Sequence, residues 1–265
     1  MKKYINKLKL NIFAKEFNDV DKLLCYIVTN FKENGEEIIN QFIDDKVIDL
    51  ERYGNMVFRV CCTYSYVGLV RFMLNRNGLL SSQADYDYAI GAAAYYGHVE
   101  VVKLLLKDGR ADPSADDNYA IRVASQEGHV EVVKLLLADK RVNPTAYSNY
   151  AIRVASENGH VEVVKLLLAD KRVNPAAKNN FAIRVASQEG HVEVVKLLLA
   201  DKRVNPTAYS NYAIRAASVK GHLEVVKLLL TDKRVNPAVK NNYAIRAASI
   251  YGHEKVVKLL SMYCK

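Results

Sequence analysis

The feature that most constrains this chain is a 31-residue unit, NYAIRVASQEGHVEVVKLLLADKRVNPTAYS, which starts at Asn118 and recurs from Asn149, Asn180, Asn211 and Asn242. Self-similarity at such a period specifies one supersecondary element that cannot bury its apolar face alone and stacks on copies of itself. The register extends back to Asp87, where DYAIGAAAYYGHVEVVKLLLKDGRADPSADD keeps the pattern, and to a degenerate unit at Asn55 whose loop is one residue longer. Seven units, the last cut short at Lys265, cover residues 55–265.

In the unit from Asn118 the spacing predicts a short helix from Tyr119 to about Gln126, with Ala120, Ile121 and Ala124 on one face. An Asn or Asp opens all seven units (Asn55, Asp87, Asn118, Asn149, Asn180, Asn211, Asn242) and reads as an N-cap accepting from first-turn amides. Gly128 ends that helix, since glycine takes the left-handed conformation without strain. A second helix runs from His129 or Val130 to about Ala138, with Glu131 and Lys134 placed to pair along its surface. Val132, Val133, Leu135, Leu136 and Leu137 make it apolar nearly all round, so it needs cover on several sides. Helices this short fall below the ~12–15 residues required for marginal isolated stability, so stacking supplies the rest. Asp139 to Ser148, with Pro144, is the connecting loop.

Helix, Gly-His turn, helix and extended loop, with GHVEVVKLLL inside, resemble the ankyrin repeat over residues 55–265. The sequence departs from the usual pattern where Tyr119-Ala120-Ile121-Arg122 replaces Thr-Pro-Leu-His and where the loop is shorter than the usual one. The YAIR variant and the Lys/Asn/Tyr/Ile-rich start are similar to the expanded ankyrin families of giant, amoeba-infecting DNA viruses. The resemblance implies an all-α ankyrin-repeat solenoid that works as a protein-protein interaction scaffold through its concave face. It also implies a viral protein acting on a host protein.

The domain organisation expected is an N-terminal helical cap or decayed repeats over residues 1–54, a degenerate repeat over 55–86, and five repeats at 87–117, 118–148, 149–179, 180–210 and 211–241. A truncated capping repeat over 242–265 closes the array, with Glu254 and Ser261 making its last helix more polar where the other units have Val130 and Leu137. In the first segment, Phe13, Val20, Leu23, Leu24, Tyr26 and Ile27 suggest one amphipathic helix and Glu36–Phe42 another. A separate small helical adaptor is the other reading of that segment.

Half the residues are hydrophobic and a quarter charged, which argues against disorder. Lys7 and Lys9 interrupt any apolar core of a secretion signal, and the uncharged run Val60–Val70 is far short of the ~20 residues of a membrane span. No membrane association is expected. Cys25, Cys61, Cys62 and Cys264 contain no CxxC pair, which reads as reduced thiols in the cytoplasm or nucleus.

Catalysis is not expected. All six histidines (His98, His129, His160, His191, His222, His253) occupy the same Gly-His place, one per unit, and cannot converge on a metal. No GxSxG elbow, P-loop or dinucleotide glycine pattern occurs, so neither cofactor nor metal is expected. The series Arg122, Arg153, Arg184, Arg215 and Arg246, interrupted by Gly91, reads as hydrogen bonding to neighbouring loops.

Two sets of positions vary between otherwise near-identical units and sit where ankyrin proteins meet partners. The end of the first helix reads Tyr95/Tyr96, Gln126/Glu127, Glu157/Asn158, Gln188/Glu189, Val219/Lys220 and Ile250/Tyr251. The loop tip reads Asp116, Tyr147, Lys178, Tyr209 and Lys240. Tyrosine gives large contact area at low entropic cost, so tyrosines among lysines read as anchors for a protein partner of a monomeric scaffold. Net charge supplies the rival reading. Residues 1–54 hold 9 Lys/Arg against 10 Asp/Glu, leaving 29 against 19 in the repeats. With the Lys-Arg pairs 140/141, 171/172, 202/203 and 233/234, that excess makes a basic ridge for nucleic acid or another acidic surface the alternative. A ubiquitin-ligase adaptor ranks below both, because no F-box-like segment is found.

Overall fold

The computed structural model describes residues 20–263 apart from residues 32, 77 and 81. Phe13 and Cys264 therefore lie outside the described residues. Among those described there are sixteen α-helices and no strand. They fall into two compact units, one ending at Ala115 and the other starting at Asp116.

The first unit is built from three helix pairs: α1 (Val20–Asn30) with α2 (Gly35–Asp44), α3 (Leu50–Thr63) with α4 (Val67–Leu74), and α5 (Gln83–Tyr95) with α6 (Val99–Asp108). First helices pack on first helices, α1 on α3 and α3 on α5, while α2 packs on α4 and α4 on α6. Leu24, Ile27, Ile39, Phe58, Leu69, Met73, Ile90 and Leu105 are fully buried and form its core. The 20–44 pair, which carries no Gly-His mark, thus stacks in the same order as the pairs that follow it. Glu36 ties it on, its Oε1 accepting from the Leu69 amide at 2.8 Å.

The second unit continues with α7 (Ala115–Gln126), α8 (Val130–Ala138), α9 (Ala146–Glu157), α10 (Val161–Ala169), α11 (Ala177–Glu189), α12 (Val192–Ala200), α13 (Ala208–Lys220), α14 (Leu223–Leu230), α15 (Val239–Ile250) and α16 (Glu254–Leu260). Helices α9, α11, α13 and α15 stack in series, as do α8, α10, α12, α14 and α16. In α8, α10, α12 and α14 the two valines and the middle leucine, such as Val163, Val164 and Leu167, are completely buried, and in α16 Val256 and Leu260 are. At about 1.5–3 kcal/mol per buried side chain, this is what holds helices too short to stand alone.

The start of each first helix differs from the expectation. Asp116–Asn118, Tyr147–Asn149, Lys178–Asn180, Tyr209–Asn211 and Lys240–Asn242 all have φ between 49 and 61°, one left-handed turn per repeat. The right-handed helix then begins at Tyr119 and its equivalents. In the first unit the corresponding Asp87 lies inside a right-handed helix that starts four residues earlier, and Asn55 lies inside α3, whose N-cap is Asp49.

The N-cap reading of the Asn series is therefore corrected. Asn118 Oδ1 accepts from the Asn143 amide at 2.6 Å, and Asn149, Asn180 and Asn211 reach Asn174, Asn205 and Asn236 at 2.6–2.9 Å. Asp87 does the same for Asp112 at 2.9 Å. The carboxamide thus ties each repeat to the loop that follows its own second helix. Local propensity gave the wrong partner because the buried carboxamide meets this part-buried amide, in the turn before the proline, and not the first-turn amides.

The Gly-His turn is also a joint between repeats. His160 Nε2 donates to the Gln126 carbonyl at 2.7 Å, and His98, His191, His222 and His253 reach the corresponding carbonyl of the preceding repeat at 2.8–2.9 Å. Gly128 has φ +77° and a Cβ there would stand 2.5 Å from His160 Nδ1, so glycine is required by both conformation and space.

Candidate partner-binding face

The first helices of the second unit carry an alternating arginine-aromatic ladder. The Arg122 guanidinium lies over Tyr119 and Tyr150, Arg153 over Tyr150 and Phe181, Arg184 over Phe181 and Tyr212, and Arg215 over Tyr212 and Tyr243, all at 5.2–5.7 Å. Aromatic and arginine three residues apart on one helix face each other, and stacking brings the next aromatic over the other side. Each contact contributes on the order of 0.5–1 kcal/mol at a partly exposed site.

The same arginines hold the left-handed turns. Arg153 Nε and Nη2 donate to the carbonyls of Ser148 and Tyr147 at 3.1 and 3.0 Å, and Arg122, Arg184 and Arg215 repeat the arrangement. As expected, these arginines bond the neighbouring loop, each securing the turn that closes the preceding unit and leads into its own helix. The sequence reading also missed Arg59, which takes this place in the degenerate unit, stacks on Tyr88 at 5.6 Å and pairs with Asp85 at 3.2 Å. The signal was present as an aromatic residue directly after every opening Asn or Asp of units 87 to 242.

Rows of structural contacts that join consecutive helix pairs, each carried by one residue type at one register position, define a stacked-repeat module. The family described as Ankyrin repeats (3 copies) matches residues 60–148, 124–210 and 183–265, most of the chain. The chain belongs to the ankyrin-repeat family. Its fold class is the all-α ankyrin-repeat solenoid, with stacked helix-turn-helix units at a 31-residue period. No match was found among curated proteins. Ankyrin repeats are generally protein-protein interaction modules and typically non-enzymatic scaffolds.

Within this ankyrin array the varying positions are placed as follows. Tyr147 and Tyr209 are 63% and 64% exposed, and their rings lie against Arg122 and Arg184 of the preceding first helix at 4.9 Å. They are thus held flat on the first-helix face instead of projecting freely. Lys178 and Lys240 occupy the alternate tips and are exposed. At the helix ends Glu127, Glu157, Asn158, Glu189 and Lys220 are exposed, whereas Gln126, Gln188 and Val219 are half-buried. Gln126 and Gln188 have structural work: their Oε1 atoms accept from the Tyr150 and Tyr212 hydroxyls at 3.2 and 2.7 Å. In the first unit Tyr95 and Tyr96 are exposed and pack edge to face at 4.9 Å.

The Lys-Arg pairs separate into two roles. Arg141, Arg172, Arg203 and Arg234 each pair with the Asp two residues earlier at 2.6–2.7 Å. Arg172 and Arg203 also donate to the carbonyls of Val142 and Val173 in the previous loop at 2.9 and 2.8 Å. The hydrogen bond from arginine holds Asp139, Asp170, Asp201 and Asp232 below the usual carboxylate range. Half of the expected basic ridge is neutralised in this way, leaving Lys140, Lys171, Lys202 and Lys233 exposed. Among the described residues no group of three or more His, Cys, Asp or Glu is placed to hold a metal, and no helix is long and apolar enough to cross a membrane.

Proposed function

We propose that the chain is a non-enzymatic scaffold that binds a partner protein through the first helices and loop tips of its second unit. The observation that carries this reading is the pair Tyr147 and Tyr209, largely exposed aromatics whose rings rest on Arg122 and Arg184 while their carbonyls are held by Arg153 and Arg215. Anchors already in place lose little entropy on binding, so a few of them supply most of an affinity. Glu127, Glu157, Asn158, Lys178, Glu189, Lys220 and Lys240 surround them as the polar rim, and Tyr95 and Tyr96 offer a similar aromatic patch on the first unit. The YAIR variant supports a viral origin and a host protein as the partner.

The test is affinity capture from nuclease-treated amoebal lysate, with Tyr147→Ala/Tyr209→Ala as the control, followed by titration of the captured protein. The double variant is expected to weaken binding by roughly 1 to 4 kcal/mol with an unchanged helix signal in circular dichroism. Equal affinity of both proteins removes the tips from the site. Capture that disappears with nuclease treatment supports the basic-ridge reading in its place.

A further inference from the structure

The repeats of the second unit are near-identical until α13, where three replacements fall together. Ala216 stands where the preceding repeats have Val123, Val154 and Val185; Val219 stands in place of Gln188, and Lys220 in place of Glu189. All three line a groove of about 220 Å³ that runs over α13 from Gln188 of α11 to Tyr243 of α15. Its floor is Ala216 and Val219, its walls Tyr212 and Tyr243, and its rim Arg215 and Lys220.

One repeat earlier the equivalent positions are bridged by hydrogen bonds. There Gln188 accepts from the Tyr212 hydroxyl at 2.7 Å and donates to Glu189 at 2.8 Å, bridging the two first helices with a carboxylate on top. At α13 valine offers Tyr243 no such acceptor, and the loss of two methyl groups at Ala216 deepens the gap. The charge also changes sign: two cations and no carboxylate line the groove. Arg215 spends Nε and Nη2 on the Ser210 and Tyr209 carbonyls, which leaves Nη1 with no hydrogen bond among the described residues.

We propose that this groove receives an acidic linear segment of the partner, an aliphatic side chain lying over Ala216 and Val219 while a carboxylate meets Lys220 and Arg215 Nη1. This rests on the scaffold reading above and names the chemistry of what the face accepts. Apolar floor and polar rim are the usual division of labour in a small site. A carboxylate on a planar guanidinium already oriented by other bonds makes a charge-assisted contact at little ordering cost.

The test uses the full chain and a phage-displayed random dodecapeptide library, counter-selected on Ala216→Val/Val219→Gln/Lys220→Glu. That variant carries only residues the protein already tolerates at the equivalent positions 185, 188 and 189. Enriched peptides are expected to combine Asp or Glu with Leu, Ile or Val and to bind the triple variant about tenfold or more weakly by fluorescence anisotropy. Basic or neutral consensus peptides, no enrichment over the triple variant, or equal affinity for it would overturn the inference. If a captured partner needs Tyr147 and Tyr209 but ignores the triple substitution, the scaffold reading stands and the groove falls.

Discussion

Replacing Asn180 separates the two demands its position makes. Its Oδ1 accepts from the Asn205 amide at 2.6 Å, its own φ is 57°, and it is 8% exposed. Alanine removes the acceptor, leaving a partly buried amide unpaired at about 1–3 kcal/mol, and places a Cβ in a left-handed conformation at a further ~1 kcal/mol. Asn180→Ala is therefore expected to destabilise by about 2–4 kcal/mol. Asn180→Gly loses the same hydrogen bond but relieves the backbone, so it should fall roughly 1 kcal/mol short of the alanine effect. Asn180→Asp keeps an acceptor, as Asp87 does in the first unit, and should stay within about 0.5 kcal/mol of the parent. The assay is equilibrium urea unfolding followed by circular dichroism, with the slope fitted as well as the midpoint, since a lesion within an array can uncouple neighbouring repeats. An alanine effect below about 0.5 kcal/mol, or aspartate as damaging as alanine, would refute the argument that this hydrogen bond holds the repeat to the loop after its own second helix.

Three further outcomes can be checked on the same material. Gly159 has φ +77° and a Cβ there would lie 2.6 Å from His191 Nδ1, so Gly159→Ala should cost about 2–3 kcal/mol in urea unfolding by straining the turn and dislodging the His191 bond to Glu157. Ser148 has φ 58° and an exposed side chain, so Ser148→Gly should raise stability by roughly 0.5–1 kcal/mol in the same measurement. Because arginine lowers the carboxyl groups of Asp170 and Asp201, their stabilisation is complete above the usual carboxylate value and is lost as pH falls through the lowered one. Below about pH 4, Asp170→Asn/Asp201→Asn should therefore lose stability less steeply than the parent on an acid titration. The arginine side chains are 44% and 40% exposed, which limits each pair to roughly 0.2–1 kcal/mol.

Much of the architecture was legible in the sequence because a repeat multiplies weak signals. Tyr119–Gln126 and Val130–Ala138 come out as helices from their apolar spacing, and Gly128 from its place between them. The helix around Glu36–Phe42 is found as Gly35–Asp44. What stayed hidden depends on partners distant along the chain. Asn118 resembles a cap locally, and only the stacked loop presents Asn143 to it. Nothing in Tyr-Ser-Asn signals three left-handed residues in a row; Arg153 makes that turn tenable by binding its carbonyls. The tip tyrosines were legible as varying positions, but their seat on the preceding first helix's arginine requires the packing between first helices.

The left-handed turn has a consequence for how such a chain changes over generations. Its shape is held from behind by the asparagine and from below by the arginine, neither of which is the residue at the tip. Asp116, Tyr147, Lys178, Tyr209 and Lys240 accordingly share one backbone conformation with three kinds of side chain. A newly duplicated repeat arrives with this turn already held, so a single codon change at the tip alters what is displayed while the fold beneath stays as it was.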